Sequence, residues 1–139
     1  MCQRMIQKRY QSGGVIINVA SIEAIIPFAP NMVHYDTSKA GVIALTRALA
    51  KEYGVRGFRI NALLPGAIDT PGTRETAKRI WKQFDIGLIP TGIKFQSRLP
   101  LGRRGKPDEV ACVALFLASE LASYVQGVLI PVDGGFLSC

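Results

Sequence analysis

What this sequence has least of is metal-binding and cross-linking chemistry. Its only histidine, His34, leaves no Cys/His cluster for zinc and no acid–histidine pair to complete a hydrolase triad around Ser21. Its three cysteines, Cys2, Cys112 and Cys139, are an odd number without CxxC spacing, so neither a disulfide framework nor a metal site is expected. Cys112 falls in the apolar run Val110–Phe116 and reads as a core thiol. No apolar run approaches the ~18 residues that span a bilayer. The stretch Met1–Tyr10 mixes charges with apolar residues and lacks the apolar centre of a signal peptide. A cytoplasmic location without a membrane partner is therefore expected. Internal repeats, low-complexity tracts and linkers are also missing, so residues 1–139 read as one domain.

The composition that remains is that of a folded chain. Apolar residues make up 48% and aromatics 8%, so the core should be mainly aliphatic. Seventeen basic residues against ten acidic ones give a formal charge of +7. The basic residues are dispersed and do not interleave with aromatics as in a nucleic-acid stripe. The field suits a small phosphate-bearing ligand, and no nucleic-acid partner is expected.

Along the chain, residues 3–10 read as the end of a helix, closed at Ser12-Gly13-Gly14. Val15–Val19 is a β-branched run of the kind buried on both faces of a parallel sheet. Residues 22–33, with Pro27 and Pro30, read as a loop. Three- and four-residue steps through Tyr35, Lys39, Val42, Ile43, Thr46, Leu49 and Tyr53 predict a helix over Val33–Tyr53, ended at Gly54 and Gly57. Phe58–Leu64 is a second strand, stopped by Pro65-Gly66. A helix is expected over Thr73–Phe84, capped near Thr70-Pro71, with Trp81 and Phe84 able to cover a substrate. The irregular segment 67–106 has the character of a lid. Pro107-Asp108-Glu109 opens a helix to about Ser119, and Gly127–Val132 is a last strand. Strand, helix, strand in this order implies parallel pairing. In such sheets ligands sit beyond the carboxyl ends of the strands, where Ser21 and Pro65-Gly66 fall.

The residues richest in chemistry are Tyr35 and Lys39. At i and i+4 they share one helix face. An ammonium beside a phenol stabilises its anion and draws its pKa from ~10 toward neutrality, which makes a general acid/base. The Ser21 hydroxyl could hold a carbonyl or alcohol oxygen. Glu23, close by in sequence, could touch a polar substrate. Asn61 and Asp133-Gly134-Gly135 read as packing and turn residues.

These residues resemble the short-chain dehydrogenase/reductase family. The matching pieces are Asn18-Val19-Ala20-Ser21, Tyr35 through Gly41, Arg59 through Thr70, Gly102 through Val110, and Gly127 through Gly135. A YxxxK pair alone is weak, but five ordered pieces cover nearly the whole chain. The resemblance implies the C-terminal half of a Rossmann-type, doubly wound parallel α/β sheet, here three strands with flanking helices. It implies hydride transfer between NAD or NADP and a small alcohol or carbonyl substrate. Tyr35 would be the acid/base, Lys39 its partner and a ribose ligand, and Ser21 would orient the substrate oxygen. Pro65 and Gly66 would pass close to the nicotinamide, while Ile68 and Thr70 would hold its carboxamide and nearby phosphate. A homo-oligomer, tetrameric as in the family, would follow.

The GxGxxG turn that cradles a pyrophosphate at a helix N-terminus occurs nowhere in the chain. The acidic or basic residue that selects NAD or NADP is missing with it. The sequence thus carries the chemical edge of a site without its adenine-binding half. The rival expectation is a truncated, catalytically incompetent product that acts only as an assembly partner.

Overall fold

The computed structural model describes residues 13–75 and 97–138. The helix expected over 3–10, most of the one expected over Thr73–Phe84, and the pair Trp81 and Phe84 lie outside the described residues.

Three strands, β1 (Gly14–Val19), β2 (Phe58–Pro65) and β3 (Leu129–Val132), form a parallel sheet in the order β1-β2-β3. Pairing runs from Gly14 opposite Phe58 to Val19 opposite Leu63, and from Ala62 opposite Leu129 to Pro65 opposite Val132. Helix α1 (Val33–Tyr53) follows β1, and α2 (Pro107–Ala118) lies between β2 and β3 in sequence. A 3-10 turn at Ile22–Ala24 lies inside the expected loop.

The period of two along central β2 decides which helix covers which face. Phe58, Ile60, Ala62 and Leu64 fall in two clusters on one face, with Ile43, Ala50 and Tyr53 of α1. Leu63 packs on the other face with Leu117 of α2 and Ala122. On that face β2 also carries two polar side chains, each fully used. The Arg59 guanidinium donates to the Leu117, Ser119 and Ala122 carbonyls (2.7–3.0 Å), closing the C-terminal end of α2. Buried Asn61 donates to Val125 O and accepts from Val128 N. A helix therefore covers each face of the sheet, the arrangement a parallel sheet requires.

Two expectations need correction. Cys112 is exposed rather than in the core. The apolar run around it is wider than one helix face: Val110, Val113, Ala114 and Leu117 meet the sheet, while Cys112, Leu115 and Phe116 turn outward. The last strand starts at Leu129, not Gly127, because Gly127 takes a left-handed turn (φ 69°). Its N–H still bonds to Ile60 O at 2.9 Å, so the chain joins the sheet through that turn.

Candidate functional site

The carboxyl ends of all three strands lie at one edge of the sheet. Ser21 leaves β1 there and is 7% exposed. It caps the 3-10 turn, its Oγ accepting the Glu23 N–H at 3.2 Å. That bond occupies an acceptor site on Oγ and leaves the hydroxyl hydrogen available to donate.

Lys39 is anchored to the same strand end. Gly14 N and Ala20 N donate to Gly57 O and Leu63 O, so the even-numbered residues of β1 turn their peptide groups toward β2. Val19 turns its carbonyl to the opposite, outer edge, where Lys39 Nζ donates to it at 2.9 Å. One turn earlier on α1 stands Tyr35, half-buried, with the Lys39 ammonium 5.6 Å from its ring centroid. Ser38, between them, donates its hydroxyl to Tyr35 O at 2.7 Å and is occupied within the helix. The chain of contacts Ser21–β1–Val19–Lys39–Tyr35 thus gathers the three residues singled out in the sequence at one strand end. His34 is exposed beside them.

At the end of β2, Gly66 donates to Val132 O at 3.0 Å. A Cβ on Gly66 would lie 2.8 Å from Asp133 Cα, so the close approach of β3 requires a glycine there. Ile68 is buried and forms an isolated parallel bridge with Gly105. Thr70 is a helix cap: its Oγ1 accepts Thr73 N at 3.1 Å, and residues 71–75 are helical. A cavity of about 80 Å³ lies behind this turn, lined by Ile68, Leu101, Arg103, Glu109, Val132 and Asp133. Ser21, Tyr35 and Lys39 do not line it.

Charged pairs frame the outer turn. Asp69 takes a bidentate bond from Arg74 (both 2.7 Å), which holds its carboxyl below the ordinary range. Glu109 accepts from both terminal nitrogens of Arg103 and from Lys106 N at 2.7 Å. Those bonds draw its carboxyl down to about 2.

The sequence reading underrates three groups. Asp133 does more than turn the chain: its two carboxylate oxygens accept Gly135 N and Leu137 N, both at 2.9 Å. That clasp seats fully buried Phe136 against Phe28 of the loop after Ser21, with ring centroids 5.0 Å apart. The Arg98 guanidinium lies 4.7 Å over the Phe136 ring. Glu23 does not face outward to a substrate. It is 6% exposed and accepts Phe28 N at 3.1 Å. An Asp-Gly-Gly followed by an aromatic is the available signal for the first two; nothing local marks Glu23 as buried.

The sequence profile of the enoyl-(acyl carrier protein) reductase family matches residues 1–137. The 3-oxoacyl-[acyl-carrier-protein] reductase of Thermotoga maritima is 45% identical over 127 residues, spanning 91% of this chain and 47% of that protein. The 3β-hydroxysteroid dehydrogenase 1 of Eggerthella lenta is 46% identical over 123 residues, 88% of this chain and 43% of its own length. A gluconate 5-dehydrogenase from Burkholderia cenocepacia, solved with NADP and tartrate, superposes with a TM-score of 0.80 at 29% identity. The match covers 99% of this chain and 49% of that one, so the chain spans about half the length of the relatives it matches. With the parallel sheet, the Tyr35–Lys39 helix and the Ser21 strand end all in place, the chain belongs to the short-chain dehydrogenase/reductase family.

Proposed function

We propose that this chain carries the proton-transfer side of an NAD(P)-dependent oxidoreductase site acting on a small alcohol or carbonyl compound. The observation that carries the reading is the anchoring of Lys39 at the Ser21 end of β1, with its ammonium beside the Tyr35 ring. The donor set suits the nicotinamide end of such a cofactor. Lys39 has N–H donors beyond its bond to Val19 O that a ribose diol could take. The close-packed Pro65-Gly66 turn lies at the neighbouring strand end, and in this reading it, Ile68 and Thr70 would meet the ring, carboxamide and phosphate. Bound there, NAD(P) would supply or take the hydride.

The residues' own work is proton handling. Ser21 donates its hydroxyl hydrogen to the substrate oxygen and fixes its position. Tyr35 gives that oxygen a proton in reduction and takes one in oxidation. Lys39 places a positive charge beside the phenol oxygen when that oxygen becomes an anion. Substrate choice falls to the segment 67–106 in this reading. The assembly is a cytoplasmic homo-oligomer, tetrameric in its complete form. A nucleotide-binding half completes the site.

NAD(P)H absorbance with a panel of 3-oxoacyl thioesters, keto sugar acids and ketosteroids tests the reading. The chain is assayed alone and together with the nucleotide-binding half of a relative. Tyr35→Phe should lower turnover at least ~10²-fold, the usual worth of a positioned acid/base, with an unchanged circular dichroism spectrum. Undiminished turnover in that variant overturns the assignment.

A second reading is favoured by the outer edge of β1. Among the described residues no strand pairs with it, and an open edge recruits a strand from another chain. On this reading the chain is an incompetent product that acts only as an assembly partner. It predicts binding to the complementary half with no NAD(P)H signal under any substrate.

A further inference from the structure

We infer that Glu23 keeps its proton and donates it as a hydrogen bond to the unpartnered Asp36 Oδ1, and that this bond clamps the loop leaving Ser21 to the first turns of the helix presenting Tyr35. Glu23 sits two residues after Ser21 and is 6% exposed. One of its carboxylate oxygens, Oε2, accepts the Phe28 N–H at 3.1 Å, which closes the turn from Glu23 to Phe28. Asp36 adjoins Tyr35 on α1, and the 3-10 turn bearing Glu23 packs against that helix. The Asp36 Oδ1 atom is buried and lacks a hydrogen-bond partner among the described residues.

An orphaned carboxylate oxygen in the interior is costly, and a donor satisfies it. A protonated Glu23 has one O–H to give and still accepts from Phe28 with its other oxygen. Both groups are then served by one proton. The groups acting on Glu23 agree. Burial raises its pKa most, and the Asp36 charge raises it further. The N–H groups of Phe28 and Ala29 oppose this, and no lysine, arginine or histidine is among the groups acting on it.

The clamp matters because Ser21 and Tyr35 stand on different elements. Glu23 belongs to the turn that Ser21 caps, and Asp36 is the residue after Tyr35. Glu23 is thus a positioning residue. Its effect on chemistry rests on the function proposed above, but the pair itself is independent of any turnover.

The test is a carbon-13 NMR titration of the full chain with labelled glutamate and aspartate carboxyls, in wild type, Glu23→Gln and Asp36→Asn. One glutamate should titrate well above the other four, vanish in Glu23→Gln, and move down in Asp36→Asn. The Ser21 and Tyr35 amide signals should shift over the same pH range in wild type and stay level in Glu23→Gln, whose amide can both donate to Asp36 and accept from Phe28. Urea unfolding adds a second readout, in which a smaller pH-dependent loss in Asp36→Asn separates the pair from burial alone. Wild type should lose stability as pH rises through the raised titration, while Glu23→Gln stays level. Glu23 titrating with the exposed glutamates overturns the pair. Ser21 and Tyr35 amides that stay level in wild type while Glu23 titrates overturn the clamp. Neither outcome bears on Tyr35→Phe turnover, so the two readings fail separately.

Discussion

Adding one methyl group at Gly66 and one at Gly41 should move stability in opposite directions. At Gly66 a new Cβ would sit 2.8 Å from both Asp133 Cα and Asp133 Cβ, a distance that real Cβ atoms essentially never show. The obstacle is backbone, and it is held from two sides. Gly66 N bonds to Val132 O, and the Asp133 carboxylate is bound to Gly135 N and Leu137 N. Relief requires β3 and the clasped turn to shift together, an overpacking cost of about 1–3 kcal/mol. Gly41 lies inside α1, and a Cβ added there would meet no side chain or neighbouring element of the described residues within 4 Å. Alanine at this position replaces the poorest non-proline helix former with the best and should add about 0.8–1 kcal/mol. The two variants should therefore differ by roughly 2–4 kcal/mol in urea unfolding, from identical chemical changes. Gly66→Ala matching Gly41→Ala in midpoint, at equal m-value, would refute the claim that β3 presses on this turn.

Two further outcomes follow from the same contacts. Phe136→Ala empties a fully buried ring site between Phe28 and Arg98 and should cost about 3–5 kcal/mol in denaturant unfolding, with the largest amide shifts in residues 22–30. The Glu109 carboxyl is held at about 2 by Arg103 and Lys106 N. A lowered folded pKa gives stability that is present above the ordinary value of 4.5 and is lost as pH falls toward 2. Glu109→Gln should flatten that acid limb in a pH series of unfolding curves and leave the limb above pH ~6 unchanged.

The elements legible in the sequence are those whose pattern is set by one dominant force. Helix α1 is legible to its observed ends, Val33 and Tyr53, because apolar spacing and the flanking glycines agree. β2 is legible within a residue because Pro65-Gly66 marks its end, with Pro65 itself still paired with Val132. Cys112 is misplaced by its pattern because an apolar run on a helix says that burial is available, not which face receives it. The site divides the same way. That Tyr35 and Lys39 meet on one helix face is legible from spacing alone, since i and i+4 on a helix have no other arrangement. Glu23 is not, because its burial depends on where a loop of two prolines folds back, and on Asp36 of the following helix.

Ser21, Lys39 and Gly66 are held at the strand ends by contacts internal to the described residues: Lys39 to Val19 O, Ser21 to Glu23 N, Gly66 to Val132 O. None of these needs a strand beyond β1. The edge carbonyl that Lys39 holds is different in kind. Val19 O lies on the outer side of β1, in the row where a further parallel strand would place its N–H groups. That carbonyl has two lone pairs, so a strand pairing at this edge can share it with the Lys39 ammonium without displacing it.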